Sequence, residues 1–212
     1  MHETKSKKRN TKKEIFLAAA ELFSQKGYHG TSVHDIAKHI GIRTASIYNH
    51  YSSKESLMDD LLDYYLKRME SFYKRLSDKE FESSKPEDLG NALENLMLAY
   101  EPEETTIMFQ LTRIVHFEQF NFIKAANAVI GTGYRDFVDA HIHFFDRLSD
   151  AGLIKGKANN RYYGEIYARL SLTFATQFLH PEIEPTIENQ YELGAFVKEL
   201  IISHQKNLSV KD

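Results

Sequence analysis

Arg43, Thr44, Ser46, Tyr48, Asn49 and His50 place six hydrogen-bonding side chains within eight consecutive positions. Guanidinium, hydroxyl, amide and imidazole groups at this density are the types that read base edges and hold phosphates. Arg43 is the best candidate for a guanine, because a guanidinium can bridge O6 and N7, although it can equally hold a phosphate. Other sets with chemical potential carry less. His141 and His143 are two residues apart, which on a helix points them about 200° apart, so they do not readily share a metal; His116 and Glu118 have the same flaw. No histidine has an acid three residues before it, so a helical di-iron site is not supported. Gly131-Thr132-Gly133 lacks the preceding strand that a nucleotide loop needs and reads as a helix bend. With no cysteine, disulfides, thiolate zinc sites and thiol nucleophiles are excluded. No metal or cofactor is expected, and serine, histidine and acidic residues occur in no recognisable nucleophile setting.

The elements that must position this polar cluster read as helices, since apolar residues recur at steps of three and four and alternating β-branched runs are missing. Ile15, Ala18, Ala19, Leu22 and Phe23 form a stripe from Lys12 to Lys26, with Thr11 as the expected N-cap and Gly27 as the stop. Thr31 and Ser32 precede a second stripe of Val33, Ile36, Ala37 and Ile40, ended by Gly41. A third short segment, Arg43 to Tyr51, follows. Ala37 is small enough for close helix approach, Gly41 can take the positive φ of a sharp turn, and Ile47 can plug between the two helices. This is a helix-turn-helix whose third helix is built to lie in a DNA major groove.

Charge follows the same division. Residues 1–55 hold ten Lys or Arg against five acids, a balance of +5, whereas the remainder carries −8. A basic end on an acidic body suits one domain meeting a polyanion; Lys5 to Lys13 could add sequence-independent attraction or be merely solvated. The expected division is 1–55, a DNA-binding domain with a basic N-terminal arm, and 56–212, a larger helical body. A long helix opened by Ser53, with Leu62, Tyr65, Met69, Phe72 and Leu76 as its stripe, joins the two and is the candidate lever between them. No signal-like or membrane-spanning apolar run is present, so a cytoplasmic location without membrane contact is expected.

The ordered set Ala18-Ala19-Ala20-Glu21-Leu22-Phe23, Lys26-Gly27-Tyr28, Gly30-Thr31-Ser32, Asp35-Ile36-Ala37, Gly41-Ile42, Ile47-Tyr48-Asn49-His50-Tyr51 and Ser53-Lys54-Glu55-Ser56-Leu57 resembles the TetR family signature almost position for position. The resemblance covers about residues 11 to 57. Two departures stand out: the family more often has an aromatic residue or histidine at Asn49 and phenylalanine at Tyr51. They bear on which operator is read. The resemblance implies that Thr31 or Ser32 and Lys54, at helix starts, grip phosphates, in keeping with helix N-termini favouring anions. It also implies that Arg43, Thr44, Ala45, Ser46, Tyr48, Asn49 and His50 face the groove. For Tyr48 the alternative is packing under the recognition helix, and for Tyr51 packing is the preferred reading.

In the body, helices are expected from Ser84 and Pro86 to about Tyr100, from Pro102 through Phe117, over 121–151 with a bend near Gly131 and Gly133, and in two closing helices around a His180 to Pro185 turn. Large apolar side chains there would ordinarily be core. The resemblance raises the expectation that some line a cavity for an unknown small molecule of hydrophobic or aromatic type. Candidates are Met97, Tyr100, Met108, Phe109, Phe117, Tyr134 and Phe137, with Gln110, Arg113, His116 and His141 as orienting polar groups. The last two helices expose more apolar stripe than one domain covers, which predicts a homodimer through them. The whole reads as an all-α regulator of double-stranded operator DNA. The rivals are a DNA-binding protein controlled by a protein partner and, more remotely, a helical enzyme.

Overall fold

The computed structural model describes residues 10–77, 102–155, 157–176, 179 and 195–204. The helix expected before Tyr100, with Met97 and Tyr100 themselves, lies outside the described residues, as do Lys5 to Arg9, the turn at 180–185 and the last residues from Leu208 to Asp212.

Every regular element among the described residues is helical. Helix α1 (Thr11–Lys26) buries Ile15, Ala18, Ala19, Leu22 and Phe23 along one side. Its N-cap is Asn10, one residue earlier than the expected Thr11, because the Asn10 side-chain oxygen accepts the N–H of Lys13 at 3.2 Å. Gly27, at φ 72°, closes it by donating its N–H to the Phe23 carbonyl. Helix α2 (Val33–His39) starts on a reciprocal cap, in which Ser32 accepts from the Asp35 N–H and the Asp35 carboxylate accepts from the Ser32 N–H. Gly41, at φ 68°, makes the reversal into α3 (Thr44–Tyr48), and such a positive φ is strained for any residue with a Cβ.

Helix α4 (Lys54–Ser77) has 24 residues and buries Leu57, Met58, Leu61, Leu62, Tyr65, Phe72 and Leu76. At 1.5 Å per residue it spans about 36 Å, long enough to run from the N-terminal helices into the body. The body contains α5 (Pro102–Glu118), α6 (Ile123–Ile130), α7 (Thr132–Asp150) and α8 (Asn160–Thr176), with helical residues 195–204 as α9. Gly131 separates α6 from α7, at the expected bend.

Two apolar cores organise these helices. The first joins Ile15, Phe23, Ile36 and Ile47 to Leu57 and Leu61 of α4 and to Met108, Leu111 and Ile114 of α5. The second joins Phe72 and Leu76 of α4 to Phe144, Phe145 and Leu148 of α7, Tyr163 and Tyr167 of α8, and Val197 and Ile201 of α9. Helix α4 therefore contributes to both, and the three short helices share their core with the body rather than closing it among themselves. Among the described residues no helix is long and apolar enough to cross a membrane.

Candidate nucleic-acid interface

The outward face of α3 is produced by what is buried beneath it. Ile47 is 1 % exposed and packs with Ile36 and Ala37 of α2, which are equally enclosed. Fixing that one side chain rotates Arg43, Ala45, Tyr48, Asn49 and His50 into solvent, while Thr44 and Ser46 are half-buried at the edge. Tyr48, at 53 % exposure, is offered outward rather than packed under the helix. Tyr51 takes the packing role. It is buried, and its hydroxyl donates to Asp60 at 2.8 Å; burial, followed by that carboxylate, holds its ionisation well above the ordinary tyrosine range.

His34, which the polar cluster at 43–50 does not include, is exposed on α2 with Nδ1 3.4 Å from Thr44 Oγ1, and it extends the polar face across both helices. Its place opposite the Val33, Ile36 and Ile40 stripe was the available signal.

The candidates for phosphate contact, Thr31 or Ser32 together with Lys54, each have partners within the protein. Thr31 is 1 % exposed and turns its hydroxyl inward, toward the carbonyls of Leu22 and Gly27 at 3.3 and 3.1 Å. Ser32 is exposed, but its hydroxyl is held in the α2 cap, 2.6 Å from Asp35 Oδ2. Lys54 directs its ammonium at the carbonyls of Tyr28 and Thr31, at 2.8 and 2.9 Å, and lies 4.0 Å from the centre of the Tyr28 ring. Carbonyls of the α1–α2 turn lack helical partners, so a cation that caps two of them is a structural clasp. Lys54→Ala is accordingly expected to lower stability by about 2 kcal/mol through loss of two charge-assisted hydrogen bonds. Urea unfolding checks this; unchanged stability with a smaller salt dependence of DNA binding would return Lys54 to the phosphate role.

The residues expected around an effector do not converge on one described cavity. Met108 belongs to the first core, whereas Phe137 and His141 adjoin the second. Gln110 lines an open groove of about 760 Å³ between α1, α4 and α5. Phe117 is 48 % exposed, near the end of α5. Phe109, His116 and Tyr134 are half-buried. Arg113 is 9 % exposed, and burial lowers its proton affinity.

His141 is enclosed between Phe137, at 4.3 Å between ring centres, and Tyr167, at 5.4 Å, and its Nδ1–H donates to the Phe137 carbonyl at 2.7 Å. Burial pushes its pKa down to about 4 from the usual 6.5. Because the unfolded chain takes up this proton first, the stabilisation is complete above pH 6.5 and is lost as pH falls toward 4. The expected loss is about 3 kcal/mol between pH 7 and pH 4, and His141→Gln should flatten that part of the stability profile in chemical unfolding.

Residues 15–61 match the family model for bacterial regulatory proteins of the tetR family. The HTH-type transcriptional repressor KstR2 of Rhodococcus jostii is 37 % identical over 71 residues, 34 % of this chain and 35 % of that protein. IcaR of Staphylococcus aureus, the biofilm operon icaADBC HTH-type negative transcriptional regulator, is 48 % identical over 48 residues, 23 % of this chain and 26 % of IcaR. The matched stretch thus spans only about a third of the KstR2 length. Over the whole chain, the TetR family transcriptional regulator PfmR of Thermus thermophilus has a similar fold, with a TM-score of 0.60 at 18 % identity, covering 88 % of this chain and 96 % of PfmR. The N-terminal helices, over residues 15–61, are thus similar to the tetR family of bacterial regulatory proteins, and they are carried on a fold that is similar along most of the chain to that of PfmR.

Proposed function

We propose that the chain is a transcriptional regulator, most simply a repressor, that binds a near-palindromic operator as a homodimer and is released by a small hydrophobic or aromatic molecule. The observation that carries this reading is the outward polar face of α3, held in place by the buried Ile47. Residues 1–55 serve as the DNA-binding head and 56–212 as the effector and dimer body. Arg43, Thr44, Ala45, Ser46, Tyr48, Asn49 and His50 meet the duplex, and the Ser32 end of α2 lies beside a phosphate. Exposed Tyr162 on α8, with Phe196 and Ile202 on α9, supports pairing through the last two helices. Such a dimer sets two α3 helices about 34 Å apart, one turn of duplex. An effector that prefers another spacing draws the population away from the DNA-competent form in proportion to its differential affinity.

Selection from a pool of randomised duplexes tests this. The expected product is a sequence of two related half-sites about one turn apart, and a pool that stays random through successive rounds refutes the reading. A second reading, control by a protein partner, is favoured by Phe120, Ile123 and Ile130, which are 89 %, 76 % and 71 % exposed. It predicts an operator complex that is insensitive to lipophilic compounds.

A further inference from the structure

We propose that Glu118 is a positioning residue whose carboxylate, at the corner between α5 and α6, fixes the angle of the DNA-binding head on the body and thereby sets operator affinity. The effect on affinity rests on the α3 reading above; the fixing of the angle does not.

Glu118 is 5 % exposed, and a buried carboxylate is tolerated only when donors replace its water. Each oxygen has one. Oε1 accepts the Tyr28 N–H at 2.8 Å, and Oε2 accepts from Asn121 Nδ2 at 2.9 Å. Tyr28 and Glu118 are 90 residues apart in sequence, so this bond ties the α1–α2 turn of the head directly to the body.

The same corner holds the turn by a second contact and α4 by a third. Phe122 meets the Tyr28 ring edge-on, with centres 4.9 Å apart, and Lys124 pairs with Asp59 and Asp63 of α4 at 3.1 and 2.9 Å. The Lys124 pairs are substantially exposed and so weakly stabilising, which leaves Glu118 as the enclosed polar tie. Its directionality matters. The contact between α1 and α5 is largely apolar, and because the hydrophobic driving force is itself non-directional, a directional bond adds orientation that burial alone does not supply. A hydrogen bond weakens steeply when bent. The turn that Glu118 holds leads through Ser32 into α2, against which α3 packs, so a shift at the corner is carried to the recognition face. On the body side, α6 runs from this corner to Gly131 and on into α7, which bears Phe137 and His141.

The absence of cysteine allows a clean test. Spin labels at Lys38→Cys on α2 and Asp139→Cys on α7, in labelled chain diluted with unlabelled protein, report the head-to-body distance. The parent should give a narrow distribution, Glu118→Ala a broad one, and Glu118→Gln a narrow one again, since its amide oxygen still accepts the Tyr28 N–H. Asn121→Ala, at an exposed position, should broaden the distribution partly and keeps the test decisive should Glu118→Ala fail to fold. On unlabelled chains, affinity for a duplex recovered by selection should fall about tenfold in Glu118→Ala and stay near the parent value in Glu118→Gln. Unchanged distance distributions in both Glu118→Ala and Asn121→Ala overturn the clasp, and a broadened distribution with parental affinity overturns its role in DNA binding. A parent that binds no duplex defeats the α3 reading instead, while the distances still decide the clasp.

Discussion

Arg43→Ala is expected to weaken operator binding by about tenfold to a hundredfold at fixed salt, the range for losing one bidentate base contact. Arg43 caps α3 with its backbone and leaves its side chain in solvent, so truncation removes the guanidinium without touching the core. Unfolding free energy should therefore stay within about 0.5 kcal/mol of the parent. Fluorescence anisotropy on matched and scrambled duplexes separates the two roles open to this residue. A base reader loses its preference for the matched duplex, whereas a phosphate holder loses affinity for both equally and reduces the salt slope. Full affinity in Arg43→Ala would remove the residue from the interface.

The second large effect is expected far from the DNA. A Cβ built on Gly164 of α8 would lie 2.6 Å from the Cα and 2.7 Å from the backbone nitrogen of Ile142 on α7. Neither atom can rotate away, so Gly164→Ala forces the two helices apart beside the second core. Phe144, Phe145, Tyr163 and Tyr167, all enclosed there, lose contact together. The expected loss is about 3 kcal/mol, at the upper end for overpacking, read from the urea midpoint. An unchanged midpoint would contradict the observed approach of α7 and α8.

These two residues also mark where the sequence was informative. Arg43 was legible because its surroundings are local: a glycine turn, one plug residue and a stripe with helical spacing together determine which way an eight-residue segment faces. Gly164 was not, because the stripe of Tyr163, Tyr167 and Leu170 passes over it and only a neighbouring helix makes the missing side chain matter. The side-chain partners of Thr31 and Lys54 were not legible for a related reason. Their types and their places at helix starts suit phosphate, and nothing local shows that the carbonyls of Gly27, Tyr28 and Thr31 lie within their hydrogen-bond reach. Glu118 carried no local signal, since its partner is a backbone N–H in the head. The effector residues were least legible: a cavity depends on the angles between helices, and single-chain periodicity gives buried faces without saying which are left empty.

The most direct test of the central claim, that the outward face of α3 enters the duplex, is photocrosslinking from within that face. A benzophenone side chain at position 48 should crosslink to a selected duplex under irradiation, and the same group at position 139 on α7 should not. Crosslinks from position 139 with none from position 48 would contradict the account.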